Sequence, residues 1–161
     1  MQIQDLLLPE FQQEIELTEK FLRRLPEDKL GWKPHNKSMS ILELSNHLAE
    51  IPSWITIAMN EDELKMDEYK PSELKTVEEL VSKLNMDAAE TVKSLKKEDE
   101  EYQKNWKMTM GGKTVMEMPR LQILRKVFLN QFPHHRAQLG VYYRLLDIPV
   151  PATYGPSADE Y

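Results

Sequence analysis

The sequence contains no cysteine. Disulfides, thiolate metal sites and a protein-borne cysteine nucleophile are thereby excluded. Long apolar runs are also missing. None approaches the roughly 18 residues that a membrane span needs. The first residues, MQIQDLLLPEF, lack a charged segment followed by a long apolar one, so no signal peptide is expected. A soluble, cytoplasmic protein is the resulting expectation. Positive charge is in deficit, with 21 Lys and Arg against 27 Asp and Glu and a formal net charge of −6. No basic stripe interleaved with aromatics is present, which argues against nucleic-acid binding. The cluster Lys93, Lys96 and Lys97 is offset by the acidic run Glu98 to Glu101 and reads as a solvated helix end. Catalytic signatures are absent too. There is no GxSxG elbow, Walker A loop, GxGxxG fingerprint or HExxH, and Gly111-Gly112 has no Lys-Ser/Thr in P-loop register. No Glu-x-x-His pair of the di-iron kind appears on the helices.

What is present is amphipathic helix. The 161 residues suit one domain with one core. The apolar (40%) and charged (30%) fractions fit long helices with solvated outer faces. A first helix is predicted from near Pro9, carrying Phe11, Ile15, Phe21 and Leu22, and ending at Pro26. A proline- and glycine-bearing loop follows. Ser40 with Glu43 forms a capping box that opens a second helix, with Ile41, Leu44, Leu48, Ile51 and Ile55 inward and His47 and Trp54 at the margin. Pro52 should bend that helix or loosen a turn. Residues 60–75 read as a charged connection with some order around Tyr69. Thr76 with Glu79 repeats the capping box and opens a third helix of about five or six turns. Then the period changes. Trp106, Met108 and Met110 alternate with polar residues before Gly111-Gly112, and Met116 and Met118 alternate after it, predicting a small hairpin. A fourth helix covers Leu121 to Leu146. The proline-rich tail after it should run as an extended strap. Four amphipathic helices with one long connection predict an all-α four-helix bundle, with the hairpin just before the last helix.

The fourth helix holds the candidate chemistry. At 100° per residue, Leu124, Phe128, Gln131, His135, Gln138 and Tyr142 fall on one stripe. Gln131 and His135 thus sit one turn apart on an apolar face, an expensive place for unpaired polar groups. His47 projects from near the inward face of another helix, and bundles build metal sites in this way. The plainer reading of each histidine is a core residue hydrogen-bonded to backbone. An i, i+4 pair can put two donors on one metal, but the first member here is Gln131, a neutral amide that can instead bond His47 or a buried water. His134 lies roughly 80 to 100° off the stripe and belongs at the bundle edge. Arg136 points further away, and His35 sits in the loop before the second helix.

Three segments carry a family likeness: WKPHNKSMSILELSNHLAEIPSWI (32–55), NQFPHHRAQLGVYYRLLDIPVP (130–151) and TYGPSADE (153–160). Over nearly the whole chain the sequence resembles the DinB family of the DinB/YfiT-like superfamily. The resemblance implies one four-helix-bundle domain over 1–161 in up-down-down-up order, often a homodimer. It also implies a divalent metal, zinc or nickel, held by three histidines. One lies in an HLAE-like segment and matches His47. Two lie in an H-x-x-x-H arrangement, of which the second matches His135 and the first matches position 131, where this chain has Gln131. His134 matches a neighbouring histidine that usually does not ligate. The exchange of an imidazole for an amide oxygen should lower affinity for zinc or nickel, and Pro133 is a further departure in the same turn. The site could bind metal through His47, Gln131 and His135, bind it more weakly with extra water, or have lost it. Superfamily relatives look like transferases and isomerases that use low-molecular-weight thiols, with the metal activating the thiol. The expectation is a metal-dependent transferase or hydrolase acting on a small molecule. The alternative is a non-catalytic dimeric stress-response or small-molecule-binding bundle with a degenerate site.

Overall fold

The computed structural model describes all residues from 1 to 161 and is mostly helical, with one small sheet. Helix α1 spans Ile3–Leu22, starting a turn and a half before the predicted Pro9. The earlier start is possible because its first amides find partners. Gln2 N–H donates to the Asp5 carboxylate at 3.0 Å, and Ile3 N–H donates to Asp99 at 2.8 Å. Pro9 costs one interior hydrogen bond, while Leu7 and Phe11 on either side of it are buried in the core.

Helix α2 covers Ile41–Asn60 and α3 covers Val77–Ser94. Both begin at the predicted capping boxes. Glu43 N–H donates to Ser40 Oγ at 3.2 Å while Ser40 N–H donates to the Glu43 carboxylate at 2.7 Å, and Thr76 and Glu79 repeat the exchange. Pro52 does not interrupt α2. Its own carbonyl accepts the Thr91 hydroxyl of α3 at 2.7 Å, so the two helices are also pinned by a polar contact there. The acidic run forms a short helix α4, Asp99–Gln103, rather than a bare helix end, because Tyr102 buries its ring and donates to the Leu95 carbonyl at 2.5 Å.

Strands β1 (Glu63–Lys65), β2 (Asn105–Met110) and β3 (Lys113–Pro119) make a sheet in the order β1-β2-β3. β2 and β3 pair antiparallel across Gly111 and Gly112, whose φ of 56° and 71° suit residues without a Cβ. β1 pairs parallel with β2, Leu64 opposite Met108. The sequence reading left this strand inside a connection. Three residues are too few for alternation to show, and Leu64 is the only one buried.

The last helical stretch is not one regular helix. Helix α5, Arg120–Ile123, runs into a π-helical turn, Leu124–Phe128, and then into α6, Leu129–Leu145. Helix α2 packs on α3 and α6, and α1 packs on α3 and α6. One continuous apolar core joins these helices to the sheet. The tail lies extended over α1 and α6. Arg24 pairs with Glu160, Arg144 with Asp159, both at 2.6 Å, and Tyr154 reaches Glu14 and Arg136. None of these tail contacts involves His47. No helix is long and apolar enough to cross a membrane.

Candidate functional site

The π-helical turn fixes where α6 faces. A π turn inserts one extra residue, so side chains after it are rotated relative to a plain helix. Pro133, one turn on, cannot donate to the Leu129 carbonyl, so the ladder is weakened in the same region. Through this irregular stretch Val127, Phe128 and Gln131 reach the same cavity as His47 of α2.

His47 and His135 meet edge to face, with ring centroids 4.4 Å apart and planes at 89°. His135 is 6% exposed and His47 is half-buried. Gln131 places Oε1 2.6 Å from His135 Nε2, and Gln138 places Oε1 2.8 Å from His135 Nδ1. All three residues singled out in the sequence therefore converge. His134 is exposed, and its Nε2 lies 3.4 Å from the Gln138 amide nitrogen. His35 is exposed in its loop, where Nδ1 accepts from Lys37 N–H. Arg136 is buried elsewhere, paired with Glu14 at 2.7 Å.

Burial disfavours the charged form of both rings. Burial pushes His135 below its ordinary 6.5, against the pull of Gln138 and with help from the other two histidines. Burial likewise lowers His47, against Gln131 and the Glu50 carboxylate. A neutral imidazole carries one N–H and one lone pair. The Gln138 amide NH2 faces His134, so its oxygen faces His135 and accepts from Nδ1–H. His135 Nε2 lies at hydrogen-bond distance from Gln131 Oε1, and which of the two groups donates is set by the ring tautomer and the orientation of the Gln131 amide. A ring N–H held by a carbonyl, with the opposite nitrogen bare, is the arrangement of a metal-ligating histidine. Two imidazoles and one amide oxygen make a donor set that suits a borderline divalent ion. No third imidazole, thiolate or carboxylate joins them. The donor types present, two imidazoles and an amide oxygen, are ones a divalent metal accepts, with one imidazole fewer than the expected site.

Sequence reasoning missed three supporting groups. Gln138 lay on the stripe but was given no role. Glu50 follows His47 by three residues, which puts it on the same helix face. It is buried and accepts a hydrogen bond from Ser72 N–H. Tyr69 accepts from Trp54 Nε1–H at 2.7 Å. Its phenol is raised above its ordinary value by burial, with the Glu50 charge adding to the effect. The H-x-x-E spacing was a signal for Glu50, whereas nothing in the sequence links Tyr69 to Trp54.

Two cavities adjoin His47. One, of about 250 Å³, is bounded by Trp54, Tyr69, Met66, Met108, Phe128 and Gln131. The other, of about 340 Å³, is more polar and runs past Asn46 and Glu50 to Ser72 and Leu74. A cavity of about 550 Å³ under the tail touches none of these groups.

The DinB family profile matches residues 1–161. A DinB-like protein from Bacillus subtilis has a similar crystal structure, with TM-score 0.67 and 18% identity, over 95% of this chain and 96% of that one. A DinB-like protein from Bacillus cereus ATCC 10987 is similar at TM-score 0.65 and 19% identity, over 91% and 95% of the two chains. No curated protein sequence matches the chain.

Proposed function

The chain belongs to the DinB family, and from that premise we propose that it is a metal-dependent enzyme acting on a small molecule, its metal held by His47, Gln131 and His135. One observation carries this reading. His135 Nε2 and Gln131 Oε1 lie 2.6 Å apart beside the His47 ring, so two imidazoles and an amide oxygen stand close together on facing helices. A divalent ion held by His47, Gln131 and His135 would supply Lewis-acid activation of a thiol or water, the chemistry of thiol-dependent transfers or hydrolyses. The thiol is external, because the chain has no cysteine.

The chain's own residues orient and desolvate. Gln138 holds the His135 tautomer through Nδ1–H. Glu50, anchored on Ser72, presents negative charge to the His47 ring and favours a donor orientation toward it. Trp54, packed on His47 and backed by Phe128, shields one side of that imidazole from water. The up-down-down-up bundle, a single domain over 1–161, a homodimeric state and a cytoplasmic location belong to the same proposal, on the strength of the family.

The test is thiol consumption. The protein is loaded with nickel or zinc and incubated with a low-molecular-weight thiol and a small electrophile. Consumption above the metal-free control, abolished in His135→Ala, is expected. Equal rates with and without protein for every thiol tried would count against enzymatic function.

A second reading is favoured by the same contact. If the Gln131 amide is turned by half a revolution, its NH2 donates to His135 Nε2 and no positive centre is needed. The bundle would then bind a small molecule without catalysis.

A further inference from the structure

The smaller cavity beside His47 has a chemistry of its own. Its walls come from four separate pieces of chain. Trp54 is on α2, Leu64 on β1, Met66 and Tyr69 follow β1, Met108 is on β2, and Val127 and Phe128 are on the π-helical turn. No Lys, Arg, Asp or Glu lines it. The polar tips of its two amphipathic aromatics are occupied with each other, since Trp54 Nε1–H donates to the Tyr69 hydroxyl at 2.7 Å. Their carbon surfaces are what remain for a guest. The only polar side chains left are His47 and Gln131, both at the end that meets His135.

We propose that this chamber binds an uncharged, apolar organic molecule of one or two rings, oriented with a single polar or electrophilic atom toward His47 and Gln131. This rests on the reading of those two residues, with His135, as the reacting end. Three features argue for it. The volume, about 250 Å³, lies near the low end for small-molecule sites. A charged guest would lose hydration with no counter-charge in the walls. Met66 and Met108 have flexible, polarisable side chains that pack well against aromatic edges. The pieces that form the chamber are also the irregular ones. The three-residue strand and the π-helical turn supply walls that a plain four-helix bundle would lack. The more polar cavity on the opposite side of His47, with Asn46 and Ser72, leaves separate room for a second, hydrophilic reactant such as the thiol.

The test uses the full chain and the neutral two-ring fluorophore 1-naphthylamine, displaced by 1-methylnaphthalene or by 1-naphthoate. One-to-one probe binding is expected, with 1-methylnaphthalene displacing it at a concentration about tenfold or more below that needed for the carboxylate. Val127→Trp, which fills the chamber, and Met108→Lys, which charges its wall, should each weaken probe binding by about tenfold or more. Val141→Lys, on the exposed outer face of α6, should leave it unchanged. Circular dichroism melting identifies any variant that fails to fold, and the other chamber variant then decides. Unchanged binding in a folded chamber variant, or displacement by the naphthoate equal to that by 1-methylnaphthalene, would overturn the assignment. Zinc titration of the same samples separates the two claims. Probe binding without metal uptake keeps the chamber and defeats the metal reading. Metal uptake without probe binding does the reverse.

Discussion

At the scale of single residues, the account turns on position 131. An amide oxygen stands where an imidazole would complete a three-histidine set, so Gln131→His should raise zinc or nickel affinity by about tenfold or more, read by isothermal titration. Unchanged affinity would place residue 131 outside the ligand set. The two histidines make a second prediction, for the metal-free protein. Both are held below their ordinary 6.5, mainly by burial. The unfolded chain therefore binds more protons than the folded one as pH falls through that value, and stability must fall with it. Full stability is expected above about pH 7.5, with loss setting in below the ordinary histidine value and continuing down to the folded-state value. Urea melts between pH 8 and pH 5 read this directly, and His47→Gln with His135→Gln should flatten the profile. His47, Gln131 and His135 were legible in the sequence because helical periodicity and the family likeness both mark them. Glu50 is harder to read from the sequence, because its partner, the Ser72 amide, lies 22 residues away in a segment with no periodicity.

At the scale of elements, the capping boxes were the clearest signals, since each is a local exchange of two hydrogen bonds that tertiary packing only has to tolerate. Helix α2 carries His47, and Ser40→Ala removes its N-terminal acceptor. A loss of about 1 kcal/mol is expected, seen as a shifted urea midpoint at unchanged m-value, with metal affinity preserved because His47 lies two turns further in. The less legible elements are those set by long-range geometry. A π turn leaves no mark in composition, and the regular 100° stripe drawn through Leu124 and Phe128 could not show the extra residue there. Strand β1 exists because β2 offers it an edge and Leu64 finds the core. The early start of α1 depends on Asp99, contributed by α4 nearly a hundred residues later.

At the scale of the whole molecule, the tail covers a buried ion pair. Beneath the tail, Arg136 and Glu14 form a buried ion pair at 2.7 Å, with Thr18 and Tyr154 completing the network. Glu14→Gln leaves an uncompensated buried guanidinium and should cost about 3–5 kcal/mol. Tyr154→Phe should cost far less, about 1–2 kcal/mol. Neither should alter metal affinity, since no side chain of this network contacts His47, Gln131 or His135, and denaturant melts paired with metal titration would check both halves of that statement. Around His47, by contrast, two imidazoles and an amide face each other with Glu50 as the nearby charge, and the proposal puts a divalent metal among them. The direct measurement is elemental analysis of the untagged protein after exposure to zinc, nickel or manganese and removal of excess. The account predicts about one equivalent of divalent metal per chain, lost in His135→Ala, together with a raised melting temperature for the loaded wild type. Wild-type protein that retains no metal and melts at the same temperature with and without each ion would contradict it.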